Sequence, residues 1–260
     1  MKKKILSFKI LSILKKNNMK LQYFSDLHLE FVLCLPTFIR QIKPVSDILI
    51  LSGDICPVRH PNFLKFFSWC SSNWSKIFYV AGNHEYYGTA ISDNHMRATL
   101  NTFSNVTFLN NSVETYRNYM FVGTTLWSHI YDSKCIKISD FKYIPHMTVQ
   151  LYESLHQDSV LFLEQTIKHN QDKKLIIITH HMPSFSLIDS KYLHFGTSNQ
   201  YFASSLDRLI QKPIHAWFYG HTHTPSAIMK DNILVSCNPI GYPEENKTHD
   251  FTKTITLEEL

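Results

Sequence analysis

Residues 19–31 read MKLQYFSDLHLEF. The apolar run from Leu21 to Phe24 stops at a polar cluster in which Asp26 and His28 stand two apart. Short apolar runs bounded by turn signals are characteristic of strands buried on both faces. On extended backbone, residues two apart project to the same side, so one strand end can present both side chains together.

The same pattern recurs along the chain. Ile48 to Leu51 runs into Ser52-Gly53-Asp54, and Ile77 to Val80 into Ala81-Gly82-Asn83-His84-Glu85. Leu175 to Ile178 runs into Thr179-His180-His181, and Ala216 to Tyr219 into Gly220-His221-Thr222-His223. Ligands in open α/β sheets bind at the carboxyl ends of strands, so these clusters are expected to meet along one edge. Glycine precedes Asp54, Asn83 and His221, where it permits sharp turns and close backbone approach. Mixed carboxylate and imidazole sets suit transition ions such as Mn, Fe or Zn. Each motif alone reads as a solvated turn or a helix cap, but five in this order after five apolar strands point to a metal site.

Between the strands, Pro61 to Trp74 and Val149 to His169 carry apolar residues at helical spacing, and burial against a sheet accounts for their Phe, Trp and Leu residues. Residues 106–123 read as short β segments with turns at Asn110-Asn111 and Arg117-Asn118, and Ser226 to Leu257 has similar character. Strands alternating with helices predict a layered α/β sandwich with mixed sheets inside and helices outside. His60, His95, His146, His156, His169 and His249 lack ligand spacing and are assigned to surface or core.

With 44% hydrophobic and 18% charged residues, the 260-residue chain has the profile of a packed globular protein, not a disordered one. No linker or internal repeat divides it. The formal charge of +5 owes much to Lys2, Lys3, Lys4, Lys9, Lys15 and Lys16. The remainder lacks a dense basic stripe, which argues weakly against a nucleic-acid partner. Five cysteines, scattered singly, fit a reducing compartment, and a cytoplasmic location is expected. No apolar run reaches the roughly eighteen residues of a membrane-spanning helix. Residues 1–18 superficially resemble a secretory signal, but Lys9 interrupts the apolar stretch and no small-residue cleavage site follows. They are read as a dispensable basic extension, with weak scope for membrane-surface contact, ahead of a single domain at 19–260.

The ordered set DLH, GD, GNHE, a downstream His and GHTH resembles the calcineurin-like metallophosphoesterase superfamily over residues 19 to about 257. The resemblance implies a four-layer α/β/β/α sandwich with two central mixed sheets and two bound metals. It implies one metal on Asp26, His28, Asp54 and His223, and a second on Asp54, Asn83, His180 and His221, with Asp54 bridging. It implies hydrolysis of phosphomono- or phosphodiesters by a metal-activated water, with His84 as acid or phosphate-stabilising group and Asn83, His84 and His181 at the substrate. His181 has a second reading, as a residue that satisfies a nearby hydrogen bond.

Two positions depart from the family pattern. Pro57 stands where related phosphatases carry the Asp that orients this histidine, which leaves His84 without a named partner and argues against the purple acid and protein phosphatase branches. Ile240, in Asn238-Pro239-Ile240-Gly241-Tyr242, stands where bacterial-type members often carry a phosphate-clamping Arg. Residues 128–148 read either as a loop over the site or as an ordinary connection. The alternatives are a nuclease or cyclic-nucleotide phosphodiesterase, a metal-storing or sensing module, and, in another class, a non-catalytic phosphoesterase-like scaffold. The small-molecule phosphoester is the expected substrate, with nucleic acid as the other candidate.

Overall fold

The computed structural model describes residues 18–132, 138–243, 245 and 249–258. The extension expected at 1–18 therefore lies outside the described residues except for Asn18, which already belongs to the first strand and pairs with Glu258. Elements are numbered in chain order. Strand β1 (Asn18–Phe24), β2 (Ile48–Ser52), β3 (Lys76–Val80) and β4 (Val106–Phe108) run parallel, and the last strand, Thr254–Glu258, closes the other edge antiparallel to β1.

The second sheet begins with the hairpin β5 (Ser112–Tyr116) and β6 (Tyr119–Thr124), whose turn places Arg117 at positive φ. Parallel to β6 follow β7 (Lys174–Thr179), β8 (Ile214–Tyr219) and β10 (Ile233–Cys237), with β9 (Ser226–Lys230) antiparallel at the edge. With the last strand as β11, the sheet order is thus β5-β6-β7-β8-β10-β9 beside β11-β1-β2-β3-β4.

The core lies in three layers that explain why the central strands are apolar throughout. Between the sheets, Leu21, Tyr23, Ile48, Ile50 and Phe78 face Phe121, Ile176, Ile178 and Phe218, and Phe78 stacks on Phe121 with centroids 3.7 Å apart. The alternate residues Phe24, Leu49, Leu51 and Tyr79 pack outward against Phe63, Phe66, Phe67 and Cys70 of the helix Pro61–Asn73. On the far side, Leu175, Ile177 and Trp217 pack against Leu163 and Ile167 of the helix Val149–His169. Helices cover both outer faces, so each central strand is buried on both sides, and the layering is the expected α/β/β/α. Sequence periodicity missed the short helices Leu35–Ile39, Asn94–Leu100 and Asp140–Tyr143 and the 3-10 turns over Ser190–Tyr201.

Candidate metal centre and catalytic cavity

Parallel β1, β2 and β3 and parallel β7 and β8 end at one edge, and the polar clusters that follow them are cross-tied there. Asp26 N donates to Gly53 O at 2.9 Å, His28 N to Asp54 O at 3.1 Å, and Gly220 N to His180 O at 2.9 Å. Five of the seven predicted ligands, Asp26, His28, Asp54, His221 and His223, have positive φ. Non-glycine residues seldom adopt that region, and clusters of such strain mark sites where geometry is imposed by the surroundings. Gly53 and Gly82 show why glycine stands beside them: a Cβ on Gly53 would lie 2.4 Å from His180 Nδ1, and one on Gly82 would lie 2.2 Å from Asp54 Oδ1.

A second tie is the carboxylate of Glu85, which is fully buried. It accepts from Asp54 N at 3.0 Å, Ile55 N at 2.7 Å and Gly82 N at 2.7 Å, so it locks the loops after β2 and β3 together. Burial and the nearby Asp54 carboxylate push its pKa up to about 7, against the favourable pull of the amides.

Three groups bring one potential ligand atom from each member within 4.8 Å of the others. These are Asp26, His28 and His223, then His28, Asp54 and His84, then Asp54, His180 and His221. His28 Nε2 lies 2.9 Å from His223 Nε2, and His180 Nε2 lies 3.1 Å from both His221 Nδ1 and Asn83 Oδ1. The opposite ring nitrogens are spoken for: His180 Nδ1–H donates to Ser52 O at 2.8 Å, and His223 Nδ1–H to Glu245 Oε2 at 2.7 Å. Such outward hydrogen bonds fix the tautomer and aim the other nitrogen inward, as metal-binding imidazoles require.

The donor set fits divalent cations. In each imidazole pair one ring is driven up and the other down. Burial lowers His180, but Asp54 more than offsets it, to about 9, while burial and His180 depress His221 to about 3. Burial likewise lowers His28, whereas Asp26 and Glu245 overcome burial to lift His223 to about 10. In each pair two facing ring nitrogens thus converge on one point, the arrangement that a cation would satisfy. Asp54 is buried too, yet His180 and His84 hold its carboxyl well below the usual range. Glu30 Oε2 is buried with no hydrogen-bond partner.

His84 has the partner that the sequence left unnamed. Its Nδ1–H donates to Glu30 Oε1 at 2.7 Å, and its backbone N–H donates to Asp54 Oδ1 at 2.9 Å. Its Nε2 is 3.9 Å from Asp54 Oδ2 and 3.4 Å from the Tyr242 hydroxyl. Burial disfavours the imidazolium, but Asp54 and Glu30 outweigh it and the net pKa direction is upward. Glu30 did carry a sequence signal: it follows His28 at the same spacing at which His28 follows Asp26.

Asn83 is held by a residue far away in sequence. Its Nδ2 donates to Asp140 Oδ1 at 2.7 Å, which turns Oδ1 toward His180. Asp140 and Tyr143 come from the 128–148 segment and line a cavity of about 730 Å³ that also exposes Asp54, Asn83, His84, His221 and His223. That segment therefore walls the site in its described part, with residues 133–137 outside the description. His181 sits elsewhere. Its fully buried ring faces Thr125 O at 3.3 Å and the Tyr152 hydroxyl at 3.4 Å, behind His221, and it is not among the residues that line the cavity.

Comparison with known proteins agrees with this geometry. Residues 19–225 match the calcineurin-like phosphoesterase family, and the chain belongs to it. It is accordingly a metal-dependent phosphoesterase, a hydrolase of ester bonds. An uncharacterized protein of Acanthamoeba polyphaga mimivirus is 31% identical over 274 residues, covering 92% of this chain and 97% of that protein. In fold, the chain is similar to the phosphopantetheinyl hydrolase of Mycobacterium tuberculosis, with TM-score 0.70 and 16% identity over 92% of this chain and 96% of that one. A protein of Thermus thermophilus matches with TM-score 0.53 and 12% identity over 92% of this chain and 98% of its own.

Proposed function

We propose that the enzyme hydrolyses phosphomono- or phosphodiester bonds at a binuclear centre, with Asp26, His28, Asp54 and His223 on one cation and Asp54, Asn83, His180 and His221 on the other. Bound Mn, Fe or Zn would supply Lewis acidity toward the phosphate oxygens and lower the pKa of the attacking water. The observation that carries this reading is the placement of Asp54. Its Oδ1 is 3.4 Å from His180 Nε2 and its Oδ2 is 3.8 Å from His28 Nε2, so one carboxylate addresses both imidazole pairs.

His84 is the acid in this reading. Glu30 holds the ring by Nδ1, which leaves Nε2 directed into the cavity, and a protonated imidazole there can donate to a phosphate oxygen or to the departing alkoxide. Asp140 orients Asn83, and Glu85 keeps the two loops that carry Asp54 and Asn83 in register. Two further observations bear on location. Cys34, Cys56, Cys70 and Cys237 are free thiols, which favours a cytoplasmic setting, and among the described residues no helix is long and apolar enough to cross a membrane.

The test is to load the full chain with Mn, Zn or Fe, measure metal content, and screen phosphomonoesters, diesters, cyclic nucleotides and DNA beside Asp54→Ala. Close to two metals per chain with turnover that the variant loses is expected. Equal metal content and equal background turnover in both proteins would sink the proposal.

A further inference from the structure

The cavity walls differ in kind from the strand-end cluster beneath them. Phe31 and Tyr242 form one wall, with ring centroids 5.5 Å apart and Tyr242 4.4 Å from the His28 ring. Tyr87 and Tyr143 form a second, 5.3 Å apart, and Tyr87 lies 4.2 Å from the His84 ring. Tyr192, Phe195 and Phe202 form a third, which reaches His221 through Phe202 at 5.0 Å. Phe31, Tyr143, Phe195 and Tyr242 remain substantially exposed at the mouth, with 40% to 52% of their surface accessible. Contiguous exposed aromatic surface beside a reactive centre marks a place where an apolar group is bound.

Charge narrows the choice. Among the described residues that line the cavity there is no Lys or Arg, while Glu30, Asp140 and Glu245 join Asp54 as carboxyl groups. Ile240 is buried in the core cluster and offers no charge. A nucleic acid or a polyphosphate brings anionic groups beyond the scissile one, and these need cationic side chains. A phosphomonoester brings two negative charges to one phosphorus where a diester brings one, and among the described residues that line the cavity only His84 would join the cations in meeting the second.

We infer that the enzyme acts on small phosphodiesters in which the ester group that stays on phosphorus is uncharged and aromatic or apolar, seated against these walls. This rests on the binuclear phosphoesterase reading above and specifies its substrate class. The cavity, about 730 Å³, has room for such a group on either side of the phosphorus.

Three esters with one leaving group provide the test on the Mn-loaded full chain: p-nitrophenyl phenyl phosphate, methyl p-nitrophenyl phosphate and p-nitrophenyl phosphate. Burying the phenyl ring raises kcat/KM at least about tenfold over the methyl ester, with the monoester lowest. Phe195→Ala, on a half-exposed ring whose loss leaves the core intact, reduces the phenyl-to-methyl ratio by roughly threefold or more. Turnover with a flat ratio, or with the monoester preferred, overturns the inference while leaving the phosphoesterase reading standing. Calorimetry with non-reacting diphenyl phosphate and dimethyl phosphate separates the two cases if no ester is hydrolysed. Diphenyl phosphate binding about tenfold more tightly upholds the pocket on its own, and equal binding overturns it.

Discussion

At the floor of the cavity, Asp26, His28, Asp54 and His180 are inaccessible to solvent to within 1%, and backbone ties between loops hold them. At its mouth, Phe31, Tyr143, Phe195 and Tyr242 are roughly half exposed and sit on the connections between strands. The floor spends its interactions on fixing donor atoms, including left-handed backbone at five of the seven expected ligands. The walls present aromatic faces, with the Tyr87 and Tyr242 hydroxyls turned to Asp140 and His84. Rigid placement suits groups that must meet cations and reacting atoms, whereas connections between strands can vary without disturbing the two sheets. In the proposed reading, chemistry thus lies at the strand ends and recognition in the connections.

Substitutions at increasing distance from the reacting atoms should trace that separation, with effects that shrink in order. Replacement of His84 by Asn removes the proposed acid while sparing the expected ligands, and kcat should fall by about 10²- to 10⁴-fold with metal content retained. Metal analysis beside steady-state kinetics checks this, and a fall that tracks lost metal would assign His84 to the cation instead. Asp140→Ala leaves Asn83 Nδ2 with the Tyr87 hydroxyl as its remaining partner, at 3.1 Å, and affinity for one of the two cations should drop by roughly 10- to 100-fold, read by chelator competition. Unchanged affinity for both would mean that Asn83 needs no such support.

Glu30→Gln keeps an acceptor for His84 Nδ1–H but removes its charge, so the loss should be about tenfold. It should be steeper for alkyl than for p-nitrophenyl leaving groups, because only poor leaving groups need the proton. A uniform loss across leaving groups would reduce Glu30 to a structural role. Tyr143→Ala removes wall alone and should raise KM roughly three- to tenfold with a smaller change in kcat. A kcat defect equal to that of His84→Asn would erase the distinction between floor and walls.

The floor was legible in the sequence because metal chemistry restricts residue type and because each cluster of expected ligands follows an apolar strand. Asp26, His28, Asp54, Asn83, His180, His221 and His223 all come from such strand ends, and the structure brings their ring, carboxyl and amide atoms to one edge. The helix expected at Val149 to His169 forms with those bounds, and the strands depart from expectation only at their ends. Glu30 and Glu85 lay within quoted motifs, yet their roles depend on which neighbouring loop each carboxylate reaches, and that is fixed by tertiary packing. Asp140 lay in the 128–148 stretch, one reading of which was a loop over the site, but nothing singled it out, since it meets Asn83 across 57 residues of chain. The aromatic walls were unreadable for a further reason: Tyr87, Phe195 or Phe202 in a sequence looks the same whether it fills a core or lines a cavity.

The central claim is that Asp54 joins two cations, and the most direct measurement is anomalous scattering from crystals of the Mn-loaded protein. The account predicts two peaks about 3.5–4 Å apart. One should touch Asp26, His28 and His223, the other Asn83, His180 and His221, with Asp54 in contact with both. A single peak at full metal loading, or two peaks of which Asp54 contacts only one, would contradict it.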